Sequence, residues 1–109
     1  MFDDVVYKDK FIWQRSKNEI NKREHKISFE TASLAFDDPL AVVVYDFEHS
    51  CYDEDRYRLT GFIPTSPSLF TVEPSVRCFT IRAELTRIFS ARKADEKEKY
   101  EYSENAGQY

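Results

Sequence analysis

The sequence predicts a single α+β domain: two N-terminal helices, an antiparallel sheet of four to five strands, and a C-terminal helix. Three observations predict it. The chain has 109 residues, enough for one hydrophobic core and too few for two. Its apolar spacing is of the three-and-four kind before Pro39 and becomes continuous or alternating after it. A charged stretch of high helix propensity follows Ala94. The composition agrees, since 41% hydrophobic and 16% aromatic residues supply a core and 33% charged residues supply a solvated surface.

Phe11-Ile12-Trp13 is a short apolar run suited to an edge strand. Gln14 to Lys26 reads as an exposed helix whose narrow stripe is Trp13, Lys17, Ile20 and Glu24. Ser28 is placed to cap a second helix, with Glu30 in its first turn and Phe29, Ala32 and Phe36 on its apolar face. Asp37-Asp38-Pro39 ends it, because the residue before proline is pushed out of the helical region. Leu40 to Tyr45 is β-branched and nearly continuous, which predicts a central strand. Asp46 to Asp55 is an acidic loop. Arg56 to Ile63 alternates, with Tyr57, Leu59 and Ile63 on one side and Arg56, Arg58 and Thr60 on the other. A turn spans Pro64 to Ser68. Two strand segments follow, broken at Pro74, and Leu85 to Ala91 is a further strand. The last helix is expected to dock through Tyr100 or Tyr102. The whole chain, residues 1–109, is read as one domain with its core over about residues 8–102 and a frayed tail at 103–109.

No apolar run approaches the ~20 residues of a membrane span, and the acidic start is unlike a secretory signal, so a cytoplasmic protein is expected. Cys51 and Cys78 are far apart, and His25 and His49 are isolated. Neither a disulfide framework nor a metal centre is signalled, and no cofactor is expected. Two glycines cannot build a glycine-rich phosphate loop.

Net charge is −4, yet the charge is segregated. Lys8 to Lys26 holds seven basic and three acidic residues, and Val76 to Lys93 holds five and one. Each segment is +4, and the remainder of the chain carries −12. Either the two basic segments converge on one face that attracts a polyanion, or they neutralise acidic neighbours across the surface.

The residues also carry an ordered set of motifs. These are Phe11-x-Trp13, Lys17 with Asn21, His25-x-x-Ser28-Phe29-Glu30-x-Ala32, Phe36-x-Asp38-Pro39, Asp46-x-x-His49-Ser50, Glu54-x-Arg56-Tyr57, Gly61, Thr80-x-Arg82 and Arg87-Ile88-Phe89-Ser90-Ala91-Arg92-Lys93-Ala94. In order and spacing the chain resembles the BrnT toxins, the ribonuclease half of bacterial type II toxin–antitoxin pairs. It departs from them at Lys26, where the family usually has glycine, at Phe89, where it often has isoleucine, and in a longer Leu69 to Val76 region containing Pro74.

The resemblance implies a RelE-like fold, a cognate antitoxin, an RNA substrate, and operator DNA reached through the antitoxin complex. It also implies metal-independent cleavage of RNA by attack of a 2′-OH on phosphate. Such a reaction needs a base, cations for the charge developing on phosphorus, and a proton for the leaving oxygen. Arg82 and Arg92, at positions matching the family motifs, are the expected phosphate clamps, with Arg87 as a supporting cation. His25 is a candidate acid or base, or simply a cation at a helix C-terminus. Glu54 is either an ion-pair partner of Arg56 or a base beside a phosphate ligand. Lys17, Lys22, Arg56, Arg87 and Lys93 are candidate RNA contacts. Tyr100 is either a base-stacking ring or a docking residue. The alternative function is a member without catalysis that binds antitoxin and serves in repression.

Overall fold

A computed structural model describes residues 4–48, 50, 54–78 and 84–107. Strands β1 (Val5–Lys8) and β2 (Phe11–Gln14) lead into helix α1 (Arg15–His25), the single-turn helix α2 (Phe29–Ala32) and a 3-10 turn, Ser33–Asp37. Strands β3 (Val42–Tyr45), β4 (Asp55–Ile63), β5 (Ser68–Cys78) and β6 (Glu84–Lys93) follow, and helix α3 (Glu96–Ala106) comes last. The α+β class is as expected. The sheet has six strands rather than four or five, in the order β1-β2-β6-β5-β4-β3, and it is mixed.

The mixture arises at β2. It runs parallel to β6 through Phe11–Thr86 and Ile12–Arg87, while β1 pairs antiparallel on its outer side. Phe11 to Trp13 is therefore an inner strand, shielded by β1. The hairpin between β1 and β2 turns at Asp9, whose φ is +54°. The second correction concerns the N-terminal helices: only α1 is a full helix, because the segment from Ser28 makes one α turn and then tightens to 3-10. Ser28 does cap it, its hydroxyl accepting from the Thr31 amide at 3.1 Å.

The core lies between the sheet and the α2 segment. Trp13, Phe29, Ile63, Val72 and Ile88 are fully buried there, each contributing about 1.5–3 kcal/mol by removal from water. Gly61 of β4 permits this close approach, since a Cβ at that position would sit 2.6 Å from the Ala35 carbonyl oxygen.

Helix α1 does not bury the stripe its spacing suggested: Ile20 is exposed, and Asn18 and Asn21 are buried. The reason is the edge of β6. Beyond Arg87 no strand among the described residues pairs with that edge, and the Asn21 amide takes a strand's place. It donates to the Ala91 carbonyl at 2.9 Å and accepts from the Ala91 amide at 3.2 Å, and it donates to Ile27 as well. Asn18 likewise accepts from the Phe29 amide and donates to Glu30. Burying backbone groups demands partners, and two amide side chains meet that demand where aliphatic ones would leave it unmet.

Strand β5 passes through Pro74 without breaking. Glu73 pairs with Ser90 but Pro74 pairs with Ile88, so β6 carries one extra residue, Phe89, at a bulge. Proline has no N–H to give the ladder, and the bulge falls where that bond is missing. The bulge also resets the alternation. Ile88 and Ala91, three residues apart, both enter the core, while Phe89 turns to the opposite face. The Leu40 to Tyr45 run proves to be an edge: Val42 and Val44 are half-buried, but Val43 and Tyr45 are exposed.

Helix α3 extends to Ala106, past the point at which a frayed tail was expected to begin. Asp95 caps it in a reciprocal box with Glu98. It docks through Tyr102, whose hydroxyl donates to Asp38 at 2.7 Å, and through Asn105, which donates to the Leu40 carbonyl. Tyr100 is exposed and takes no part in docking.

Lys26 ends α1 in the left-handed region, with φ +61° and ψ +27°. A glycine suits this position, because a Cβ there is strained. Lys26→Gly is expected to stabilise the protein by about 0.5–1 kcal/mol, raising Tm by roughly 3–6 °C in thermal unfolding. A fall in Tm would show that the bond from the Lys26 ammonium to the Arg23 carbonyl matters more than the backbone strain.

Candidate nucleic-acid interface

The face of the sheet opposite the core is organised in rows set by strand register. Thr60, Thr71 and Arg92 are lateral neighbours on β4, β5 and β6, and so are Arg56, Ser75 and Arg87. The first row lies beneath α3. There the Arg92 guanidinium forks onto both Glu98 oxygens at 2.7 and 2.9 Å, and the Thr60 and Thr71 hydroxyls bond to each other at 2.8 Å. The Arg92 fork holds the Glu98 carboxyl at a pKa of about 2 despite its burial, aided by the Asp95 amide and the Thr71 hydroxyl. Arg92 is shifted up in return.

At the other end of α3, burial acts to raise the Asp38 pKa. The Tyr102 hydroxyl and the Phe62 and Leu40 amides outweigh it and hold the carboxyl below its usual range. Tyr102, half-buried and facing that carboxylate, is pushed up to about 12.

The second row is open. Asp46, Arg56, Arg58, Glu73, Phe89 and Arg92 line a cleft of about 240 Å³ beside it. Among the described residues the Phe89 ring gathers three cations: Arg56 Cζ lies 4.2 Å from its centroid, Lys17 Nζ 5.1 Å and Arg87 Cζ 5.4 Å. The bulge supplies the ring, β4 and β6 supply the arginines, and α1 supplies the lysine one turn before Asn21. Each contact of this kind is worth about 0.5–1 kcal/mol, comparable with the ~1 kcal/mol by which two neighbouring cations repel in water. Glu54, at 3.6 Å from Arg56 Nε, offsets one charge. Ser75, between the two arginines in register, is 1% exposed, and among the described residues its hydroxyl has no hydrogen-bond partner.

The two basic segments therefore do converge. Lys17, Arg56 and Arg87, expected as RNA contacts, meet at one ring, and Glu54 joins them through Arg56. Arg92 reaches the cleft but is committed to Glu98. Lys22 pairs with Glu19 at 2.9 Å on the exposed side of α1, and His25 is exposed in the same helix's last turn. Lys93 and Tyr100 are exposed and do not line the cleft. Arg82 and His49 lie outside the described residues. The sequence reading missed Phe89 as the centre of the cluster, Arg58 and Glu73 as lining groups, and the buried Ser75 hydroxyl. The alternation Arg56-x-Arg58 was the available signal for Arg58; the position of Phe89 depends on a bulge that one strand alone does not announce.

A family model described as the ribonuclease toxin, BrnT, of type II toxin–antitoxin systems matches residues 13–98. The chain belongs to the BrnT family. Comparison with curated proteins found no match. The BrnT match begins at Trp13 and ends at Glu98, so it contains α1, the bulge, all three cations of the Phe89 cluster and the Arg92–Glu98 pair. Membership makes the protein one of a family of ribonuclease toxins and implies an antitoxin partner. No helix among the described residues is long and apolar enough to cross a membrane. Among those residues, no group of three or more His, Cys, Asp or Glu side chains is placed to hold a metal ion.

Proposed function

We propose that this BrnT protein is a cytoplasmic endoribonuclease toxin that cleaves RNA on the open face of its sheet, without a metal ion. The observation that carries the reading is the convergence of Lys17, Arg56 and Arg87 on Phe89, in a chain whose net charge is −4. A protein that is acidic overall concentrates like charges at one place where an anion is to be bound. Arginine forks suit phosphate oxygens bidentately and stay charged at any working pH.

In this reading the scissile phosphate sits between Arg56 and Arg87. A carboxylate lining the cleft, Glu73 or Asp46, takes the proton of the 2′-OH as its oxygen bonds to phosphorus. The bond from phosphorus to the 5′ oxygen breaks, and that oxygen takes a proton from water. The products are a 2′,3′-cyclic phosphate and a 5′-OH. Arg92 then serves as the pillar of α3 at the rim of the cleft rather than as a clamp. The scaffold is read as RelE-like, and operator DNA is reached through the antitoxin complex.

Purified protein incubated with single-stranded RNA in excess chelator is expected to yield 2′,3′-cyclic phosphate ends. RNA left intact, or cut only when a divalent cation is restored, overturns the metal-free mechanism. The closed Arg92–Glu98 pair favours a second reading, in which the face binds antitoxin and no cleavage occurs. Expression of the chain alone separates the two, since an active ribonuclease arrests growth and an inactive one does not.

A further inference from the structure

We propose that the antitoxin docks on the free edge of β3, adding an extended segment as a seventh strand. The inference rests on the antitoxin partner that family membership implies, and it is independent of the cleavage mechanism. Strand β3 closes the sheet order and pairs only with β4 among the described residues. Its four residues, Val-Val-Val-Tyr, contain no lysine, proline or bulge of the kind that ordinarily guards an edge against added strands.

The side chains there form an apolar ledge. Val43 is 55% exposed, Tyr45 36% and Phe47 83%, at alternate positions along the chain. Among the described residues seven large hydrophobic side chains are exposed, and these three are consecutive alternates at one edge. Such clustering marks a docking surface, whereas scattered single residues do not. The ledge is held in place: Tyr45 meets Phe47 edge-on at 4.5 Å and Tyr57 at 5.4 Å, and its hydroxyl donates to Asp55.

The chemistry of the rim selects the occupant. Glu48 and Asp55 are exposed beside the ledge, with Asp46 partly so. That rim repels a nucleic acid, and a second copy would bring another acidic rim against it. The backbone edge calls for alternating N–H and C=O groups, which a polypeptide supplies. The occupant that fits is a strand-forming segment of the antitoxin, with apolar residues at alternate positions and Lys or Arg flanking them. Beyond the Tyr45 end of β3 the chain reaches Asp46, a lining residue of the cleft. A segment running along β3 thus arrives at the rim of the cleft that Arg56 and Phe89 also line, so docking and inhibition are one event.

The test is titration of the full-length cognate antitoxin into wild-type protein and into a variant carrying Val43→Lys and Phe47→Ser, both at exposed positions. Loss of a well-packed aromatic anchor and a blocked edge are expected to weaken binding by about thirty-fold or more. Ile20→Ser, at an exposed apolar site elsewhere, is expected to bind like wild type. RNA cleavage by the double variant is expected to be unchanged, which also shows that it folds. In wild-type protein, amide exchange over residues 42–45 is expected to slow when antitoxin binds. Binding by the double variant within twofold of wild type, or unaltered exchange over 42–45, overturns the proposal. So does a wild-type dimer that the double variant disrupts while antitoxin affinity stays the same. If wild-type protein cuts no RNA but the double variant still loses the antitoxin, the ribonuclease reading falls and the docking surface stands.

Discussion

Arg56→Ala is expected to slow RNA cleavage by about 10²- to 10³-fold while leaving the fold intact, the loss typical of removing one donor to a developing oxyanion. The asymmetry follows from where Arg56 sits. Its side chain is 38% exposed, stacks over Phe89 at 4.2 Å and pairs loosely with Glu54 at 3.6 Å. The pair is half-buried, since the Glu54 side chain is 10% exposed, but at that length its loss costs only about 1–2 kcal/mol of stability. The same guanidinium is, among the described residues, the cation nearest the ring, and it lines the cleft. Arg56→Lys keeps the charge and loses the fork, so an intermediate rate is expected. The measurements are single-turnover cleavage of a short RNA and thermal unfolding, run on the same preparations. A rate unchanged in Arg56→Ala would remove the cleft from the reaction.

The largest effect on stability is expected from Glu98→Gln. It leaves the Arg92 guanidinium, itself partly buried, without its counter-charge and weakens the cap of α3. Breaking a fully buried pair costs about 3–5 kcal/mol, and the partial exposure of Arg92 reduces this to about 2–3 kcal/mol. Tm should fall by roughly 10 °C or more.

The pair also sets an acid limit. Folded Glu98 takes up its proton only near pH 2, whereas the unfolded chain does so near its ordinary 4.5. Its contribution is complete above about pH 4.5 and is lost as pH falls towards 2, because there the unfolded state binds the extra proton. Asp38, also depressed, acts in the same direction. Unfolding measured between pH 5 and pH 2 should therefore show a shallower loss in Glu98→Gln than in wild type. Equal slopes would mean that Glu98 does not govern acid stability.

Much of the fold was legible in local pattern. The Ser28 cap, the alternation of β4, the Pro64 turn and the start of the final helix each depend on neighbouring residues, and each stands where the sequence placed it. What was not legible depends on partners far along the chain. The Ile20 stripe failed because α1 lies against a bare strand edge, which asks for amides. Pro74 did not break its strand because a residue on another strand made room. The aliphatic run of β3 looked central because hydropathy registers burial on one face and exposure on the other as a single average. Within the candidate site, the cations Lys17, Arg56 and Arg87 were identifiable by charge type alone. Their common centre, Phe89, was not, since a lone phenylalanine in a strand ordinarily signifies core.

The bulge at Phe89 also makes chain length at this point a functional quantity. Deleting that residue would do more than remove an aromatic ring. Without it Ile88 and Ala91 would stand two residues apart, and regular alternation would still hold both in the core, but Pro74 would then face an unbulged ladder whose bond it cannot make. The proline and the additional residue are therefore a matched pair on neighbouring strands. A change in either obliges a change in the other, and a substitution survey that varies side chains at fixed length would never reveal that dependence.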